Sequence, residues 1–360
     1  MSVARLRGLD DVIRELNPAY FSLVMATGIV SIATEIEGWR LLSVILMWIT
    51  GLAFGVLLLL NAARLARHRD AVVFDLRVPN RTFGFFTVVA ATSVLGTRLM
   101  LDGHLVAALV LLGFAASMWL VLGYALPPMA FTARIGQSQL ERADGTWFLW
   151  VVATQSVAVL AAAVQPHVTS GQAELALLAA LCWAVGVFLY MAVALFVAAR
   201  IFMHHPKPDQ LSGAYWIAMG ATAITVVAGA NIESMADVPV LDVMRGTVES
   251  VSVFFWAFGT WLVPPLLFAG YWRHIRHRIP LRYDASFWAI VFPLGMYGVG
   301  SHQIGSVNGI PLIDHIGHVE IWIATAAWFV TFAGFAASLA GRSPRLLPLR
   351  SIENAGPDAR

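Results

Sequence analysis

Long apolar stretches alternate with short polar ones along the whole chain. We count ten stretches of about 20 mostly apolar residues, the length that a helix needs to cross a bilayer. They lie near residues 18–36, 41–63, 82–101, 104–130, 146–165, 173–202, 213–232, 243–272, 285–303 and 317–340. This pattern predicts an all-α polytopic membrane protein with ten transmembrane helices.

The first apolar stretch opens with YFSLVMAT, and similar segments open every second stretch after it. They are FFTVVAAT, WFLWVVAT, YWIAMGAT and FWAIVFPL, and the five aromatic pairs begin at residues 20, 85, 147, 215 and 287. Aromatic residues often mark the membrane interface, but that role does not explain a Thr seven residues after the first aromatic in four copies. We therefore predict five parallel helical hairpins in a quasi-five-fold ring around a central pore.

The odd-numbered helices, which begin with the aromatic pairs, are rich in Gly, Ala, Ser and Thr. Small side chains permit close helix packing, and they also leave space and hydroxyl groups around an axis, so both interpretations remain open. Under the second interpretation, the predicted pore-lining residues are Met25, Thr27, Ser31, Ala90, Thr92, Ser93, Val152, Thr154, Ser156, Gly220, Thr222 and Thr225.

The fifth copy of the repeat differs at the position five residues after its first aromatic. The other four copies have Met, Ala, Val or Gly there, whereas the fifth has Phe292, followed by Pro293. Proline inside a helix kinks it. A Phe that points at the pore axis, where the other helices carry smaller residues, closes the pore. A Phe that merely packs in the core is the alternative. We predict that Phe292 and Pro293 form a gate.

Two segments carry a resemblance to a known family. NPAYFSLVMATGIVSI (17–32) and FWAIVFPLGMYG (287–298) resemble the tellurite-resistance/dicarboxylate transporter family, over roughly residues 15 to 340. That family includes bacterial tellurite resistance protein A, yeast malate and sulfite carriers and the plant guard-cell slow anion channel. The resemblance implies five hairpins, a central pore lined by the odd-numbered helices, a homotrimer, and a gating Phe at the position of Phe292.

Composition and charge agree with a membrane location. Hydrophobic residues make up 59% of the chain and charged residues only 12%, against about 25% charged in a soluble domain. Of the 23 Lys and Arg, all but Arg40, Arg98 and Arg245 fall in alternate segments that include both termini. Cytoplasmic loops collect Lys and Arg, which predicts a multi-pass protein of the inner or plasma membrane with both termini cytoplasmic.

Several polar residues are predicted at the opposite, outer side of the membrane. We expect Arg98, Glu233 and His302 at the outer mouth of the pore, although Arg98 also has Asp102 one turn away as a partner. His302, His315, His318 and Glu320 flank the last outer loop. We interpret them first as a hydrogen-bonded rim, second as a proton sensor and last as a metal site, so no metal is predicted.

The remaining features limit the classes of function. The chain has no phosphate-binding loop, dinucleotide-binding glycine pattern or HExxH zinc motif, and Cys182 is its only cysteine. We therefore expect no enzyme, no cofactor and no nucleic-acid partner. The expected partners are small inorganic or carboxylate anions, membrane lipid and further copies of the chain in a homotrimer.

The predicted function is that of an anion channel or transporter. A proton-coupled C4-dicarboxylate carrier, or a sulfite or tellurite efflux protein, is the alternative. The predicted division is a cytoplasmic segment at 1–17, a transmembrane domain at 18–340 and a disordered cytoplasmic tail at 341–360.

Overall fold

The computed structural model describes residues 8–132, 139–204, 206–281 and 283–341, and within these ranges the chain is helical, without a strand. In chain order the α-helices are α1 (Leu9–Arg14), α2 (Phe21–Ile36), α3 (Arg40–Arg67), α4 (Arg69–Arg77), α5 (Pro79–Thr82), α6 (Phe86–Leu101), α7 (Leu105–Thr132), α8 (Gln139–Arg142), α9 (Phe148–Val164), α10 (Gln172–His204), α11 (Ile217–Glu233), α12 (Pro239–Tyr271), α13 (Trp288–Val307) and α14 (Pro311–Leu339). Most of the predicted tail, from residue 342 on, and the first seven residues lie outside the described residues.

Two classes of long helix alternate along the chain and differ in burial. We call α2, α6, α9, α11 and α13 the central helices, and α3, α7, α10, α12 and α14 the peripheral helices. In the most apolar stretch of each helix, 72 to 89% of residues are buried in the first four central helices, against 17 to 39% in the peripheral helices. The peripheral helices therefore expose the apolar surface that suits contact with lipid.

Nine helices of the described chain are long and apolar enough to cross a membrane. The long helix outside that set is α13, whose 20 residues span about 30 Å at 1.5 Å per residue. Its second half carries Ser301, His302 and Gln303, which lower its hydropathy. The structure thus supports a polytopic membrane protein, and a count of ten spans depends on whether α13 crosses as well.

The central helices contact one another in a cyclic order. α2 packs against α6, α6 against α9, α9 against α11, α11 against α13, and α13 returns to α2. Each peripheral helix packs against the central helix before it in the chain and also contacts the next central helix, with α14 contacting α2. Each hairpin therefore contacts the hairpins before and after it in this cyclic order, through its central helix and through its peripheral helix.

The central helices share the same local start. Each follows a short 3-10 turn, and the five turns are Pro18–Tyr20, Phe83–Phe85, Gly145–Trp147, Gly213–Trp216 and Ala285–Phe287. In four turns a side chain three residues before the aromatic pair accepts a hydrogen bond from a backbone N–H two residues later. The four are Asn17, Asp144, Ser212 and Asp284. These residue types favour such caps, so one local structure recurs five times with four similar caps.

At least one member of each aromatic pair packs inside the protein. Phe86 and Trp288 are fully buried, and Phe21 is 3% exposed. The ring of Trp147, at the start of α9, lies 5.1 Å from that of Phe83, just before α6. The aromatic pairs therefore contribute to packing between neighbouring central helices.

Two peripheral helices begin earlier than the apolar pattern predicts. α12 begins at Pro239 and α14 at Pro311, rather than at 243 and 317. Proline is favoured in the first turn of a helix because its missing N–H needs no partner there. The extra turns contain Asp242 and Asp314, which hydropathy alone assigns to a loop.

Candidate functional site

One position on each central helix serves as a reference for the site. It lies five residues after the first residue of the aromatic pair and is occupied by Met25, Ala90, Val152, Gly220 and Phe292. All five residues are buried, and Phe292 is only 2% exposed. The reference positions therefore form part of the packed interior, and the largest ring among them belongs to α13.

A small cavity lies between the five central helices. About 30 Å³ of it is open to the centres of water-sized molecules, and one water needs about 10–15 Å³ by this measure. Ile29, Val94, Ser156, Ile224 and Met296 line it four residues after the reference positions, and Ile32, Thr97, Val159, Val227 and Val299 line it seven residues after them. The same two layers thus recur on all five central helices.

Helix geometry relates the reference positions to this cavity. Residues four and seven positions apart lie on one face of an α-helix, so Phe292 is on the same face as Met296 and Val299. At 1.5 Å per residue, Phe292 precedes Met296 by about 6 Å along the helix. The reference layer therefore lies one turn from the cavity, toward the N-terminal ends of the central helices.

The cavity offers neutral polar groups. Ser93 lines it three residues after Ala90, and its Oγ has no hydrogen-bond partner among the described residues. Farther along, Gln303 Nε2 donates to Asn231 Oδ1 at 3.3 Å, and Gln303 Oε1 has no partner among those residues. None of the described residues that line the cavity is charged. Asn231 and Gln303 lie eleven residues after their reference positions, a spacing that identifies them from the repeat alone.

Of the twelve predicted pore-lining residues, Ser93 and Ser156 line the cavity. The four threonines two positions after the reference are turned away, because two residues correspond to about 200° around a helix of 3.6 residues per turn.

Thr27 and Thr154 accept indole hydrogen bonds from Trp328 and Trp119 at 3.0 and 2.9 Å. Thr222 packs closely against α12 at Gly259, because a Cβ built at Gly259 would lie 2.5 Å from Thr222 Oγ1. Thr92 donates to the carbonyl of Val88.

The other predicted lining residues take part in helix contacts or in the reference layer. Ser31 donates to the carbonyl of Ser43 on α3 at 2.7 Å, and Thr225 donates to Ala221 in its own helix at 2.8 Å. A Cβ built at Gly220 would lie 2.8 Å from Pro293 Cγ. Gly220 therefore permits α11 to approach α13 beside Phe292. Met25, Ala90 and Val152 are buried at the reference level.

Four peripheral helices donate an indole N–H to the central helix of the next hairpin. The donors are Trp119, Trp183, Trp256 and Trp328, and the acceptors are Thr154 Oγ1, the Thr225 carbonyl, Ser301 Oγ and Thr27 Oγ1. The donor–acceptor distances are 2.9 to 3.2 Å. Three of these contacts end on a hydroxyl, which gives Thr27, Thr154 and Ser301 a packing role away from the cavity.

Arg98 lies in a buried polar network in the last turn of α6. Its side chain is fully buried and donates to Ser31 Oγ and Ser43 Oγ, both at 2.9 Å. It also pairs with Asp102 at 3.0 Å and with Glu35 at 3.4 Å. The pairing with Asp102, the competing interpretation from the sequence, is therefore observed, and a place for Arg98 at an outer pore mouth stays a prediction.

The other two residues expected at the outer mouth also face neighbouring helices. Glu233 interacts electrostatically with Glu249 and Arg245 of α12. His302 Nδ1 lies 2.7 Å from Asp314 Oδ1 of α14. Neither residue is among those that line the cavity.

Comparison with known proteins places these features in a family context. The family model for SLAC1, voltage-dependent anion channel, matches residues 15–336. An uncharacterized membrane protein of Mycobacterium tuberculosis is 51% identical over 161 residues, which are 44% of this chain and 82% of that protein. Two uncharacterized transporters of Methanocaldococcus jannaschii are 25% and 26% identical over 332 and 335 residues, 90% and 89% of this chain and 94% and 92% of those proteins.

Proposed function

The chain belongs to the SLAC1 family of voltage-dependent anion channels, and from this membership we propose that it moves small anions across a membrane along the axis of its central helices. In this proposal α13 is the tenth span. The ten helices form five parallel hairpins in a quasi-five-fold ring. The cyclic order of contacts between the central helices supports this arrangement.

The observation that carries the proposal is the shared register of the cavity lining. Each central helix contributes the residues four and seven positions after the reference position. A gap caused by imperfect packing at one place would be lined by residues at unrelated positions of the repeat and at different depths along the helices. Equal positions on five helices are expected when the helices surround one axis.

We propose Phe292 as the gate of this path. Its ring is buried at the level where the other central helices carry Met25, Ala90, Val152 and Gly220. It lies on the face of α13 that borders the cavity, one turn before the first of the two layers of residues that line the cavity. Pro293 removes a backbone hydrogen bond at this level, which makes α13 easier to bend there than the other central helices.

The proposed lining binds an anion weakly, which suits transport. A fixed buried cation would hold an anion tightly, whereas conduction needs a site that the ion leaves readily. Here the donors are the hydroxyl of Ser93 and the amides of Asn231 and Gln303, beside mostly apolar residues, whereas the Ser156 hydroxyl donates to the carbonyl of Ala153. We therefore expect the path to favour anions that lose their hydration water easily.

The orientation and the assembly state also belong to the proposal. The basic segments at the N-terminal ends of the central helices support cytoplasmic termini in an inner or plasma membrane. The apolar faces of the peripheral helices support contact with lipid. A homotrimer rests on the family resemblance alone.

A channel is favoured over a proton-coupled dicarboxylate carrier. A carrier of that kind needs a titratable group that both the proton and the substrate reach. Among the described residues that line the cavity, none is titratable in the physiological range. Sulfite and tellurite remain candidate anions of the same path.

Flux through purified protein in lipid vesicles tests this function. Under an imposed nitrate or chloride gradient we expect Phe292→Ala to raise the flux by about tenfold or more, equivalent to lowering the barrier by about 1.4 kcal/mol. Phe292→Leu, which keeps much of the bulk, is expected to give a smaller increase. The flux must follow the sign of the gradient.

The matched control is Phe255→Ala. Phe255 is also buried, at 4% exposure, but it lies on peripheral helix α12, where its ring packs against Tyr190. We expect this change to cost stability and to leave the flux unchanged. Equal flux from Phe292→Ala and the unmodified chain would overturn the gate, and equal increases from both Ala variants would point to a leak from loosened packing.

A further inference from the structure

Two histidines and an aspartate meet where α13 is followed by α14. Their ligand atoms all lie within 4.8 Å of one another, and each of His302, Asp314 and His318 is partly buried. Asp314 Oδ1 lies 2.7 Å from His302 Nδ1 and 3.6 Å from His318 Nε2. We propose that these three side chains bind a divalent metal ion of the zinc class.

The backbone holds this cluster in place. A Cβ built at Gly305 of α13 would lie 2.3 Å from the backbone N of Asp314, and one built at Gly317 of α14 would lie 2.4 Å from the backbone N of His302. Only glycine at both positions allows the two helices to approach this closely. Asp314 and His318 are four residues apart and therefore lie on one face of α14.

The hydrogen bond behind His318 resembles the support of a metal ligand. His318 Nδ1 lies 2.5 Å from Glu37 Oε1, just after α2. In the tautomer that donates Nδ1–H to Glu37, the lone pair of Nε2 faces the Asp314 carboxylate at 3.6 Å. In that tautomer two electron-rich groups face each other, and a metal ion between them, like a proton on Nε2, relieves the repulsion. A carboxylate that accepts from the far nitrogen of a histidine ligand is the usual outer partner of zinc.

The distances fit a site whose side chains adjust around the ion. Zinc binds His and Asp at about 2.0–2.2 Å, so tetrahedral ligand atoms stand about 3.3 Å apart. The separations all lie within 4.8 Å and shorten by at most about 1.5 Å, whereas the 2.7 Å between His302 Nδ1 and Asp314 Oδ1 widens by about 0.6 Å. The side chains of His302, Asp314 and His318 are 25, 33 and 39% exposed, which leaves them room to rotate. Three protein ligands leave a fourth position for water or an anion.

A bound ion would join the two helices of the last hairpin, and the contact between His318 and Glu37 would link the site to the first hairpin. His302 belongs to α13, Asp314 and His318 belong to α14, and Glu37 lies between α2 and α3. This site differs from the sequence expectation of no metal, because sequence spacing alone showed no acidic partner for the histidines. Ion binding here is a property of the folded chain and does not depend on the proposed anion path.

Metal titration of the purified, chelator-treated protein tests the site. We expect one equivalent of Zn²⁺ to bind and to raise the melting temperature, and Co²⁺ to give the visible absorption of a tetrahedral His/carboxylate site. His302→Ala, Asp314→Asn and His318→Gln are each expected to abolish both signals. Glu37→Gln is expected to weaken binding by about 10 to 100-fold.

The matched control is His315→Ala, because His315 is an exposed histidine of the same turn and is expected to bind as the unmodified chain does. Melting of each variant without metal reports whether it is folded. The proposal is overturned if the folded parent binds no metal, if His315→Ala is as harmful as His318→Gln, or if acidification alone reproduces the stabilisation without metal.

Discussion

At the scale of single residues, the angle around the helix axis decides what a side chain of a central helix contacts. Ser156, four positions after its reference residue, lines the cavity, whereas Thr154, two positions after it, accepts the indole hydrogen bond of Trp119. Both are small hydroxyl residues of one helix. Their different roles follow from the 200° between them around the helix.

Ser93 provides a test at this scale. Its hydroxyl faces the cavity without a partner among the described residues, and a hydrogen bond to a charged group contributes about 1.5–3 kcal/mol. In the Phe292→Ala background, we expect Ser93→Ala to raise the anion concentration for half-maximal flux by about tenfold.

Ser252→Ala is the control for that test. Ser252 Oγ is also buried and without a partner among the described residues, but it lies on α12 against Gly229. We expect no change in the concentration dependence. The same shift in both variants would contradict a contact between Ser93 and the anion.

At the scale of elements, the contact between each peripheral helix and the next central helix uses one of two polar arrangements. Four of these contacts contain an indole donor. The contact between α3 and α6 contains the Arg98 network instead, where Arg98 donates to Ser43 of α3. The only tryptophan of α3, Trp48, is 71% exposed. The hairpins are thus related but not identical.

The hydrogen bond between Trp328 and Thr27 tests the packing role of the hydroxyl residues. Trp328→Phe removes the donor and Thr27→Val the acceptor, and interhelical hydrogen bonds in membrane proteins contribute about 0.6 kcal/mol, with values up to about 1.7. We expect each change to lower thermal stability in detergent, and the double variant to be destabilised by less than the sum of the two.

Trp48→Phe on the exposed face of α3 is the control and is expected to leave stability unchanged. Additive effects of the two changes at Trp328 and Thr27 would refute the coupling. A Thr27→Val variant that altered anion flux but not stability would instead support the sequence-based assignment of Thr27 to the pore lining.

At the scale of the whole molecule, the five central helices line one narrow cavity, and the last of them, α13, differs most from the others. α13 carries the bulky Phe292, the internal Pro293 and the polar Gln303, and it falls outside the nine clearly apolar helices of the described chain. Among the central helices, α13 is therefore the least suited to lipid and has a proline in its interior, which fits its proposed role as the gating helix. Its opposite end bears the proposed metal site.

The sequence predicted much of this arrangement because each aromatic pair stands at a fixed position relative to the start of a central helix. They begin the central helices, so aligning them aligned the helix faces and located the level of Phe292. The alignment did not locate the cavity layers, because the choice of Thr27 and Thr154 followed chemistry rather than helical angle. The Arg98 network and the meeting of His302 with Asp314 depend on contacts between helices, which residue spacing along one chain does not specify.

The central claim is that one face of the central helices borders an anion path, and cysteine accessibility tests it most directly. Cys182 is the only cysteine and is fully buried, so Cys182→Ala, combined with Phe292→Ala, gives a suitable background. We would compare Ser156→Cys with Thr154→Cys, two residues apart on α9, for reaction with a small anionic thiosulfonate in vesicles. We predict fast modification at Ser156→Cys, slowed by excess nitrate, and little at Thr154→Cys. Faster modification at Thr154→Cys than at Ser156→Cys would contradict the central claim.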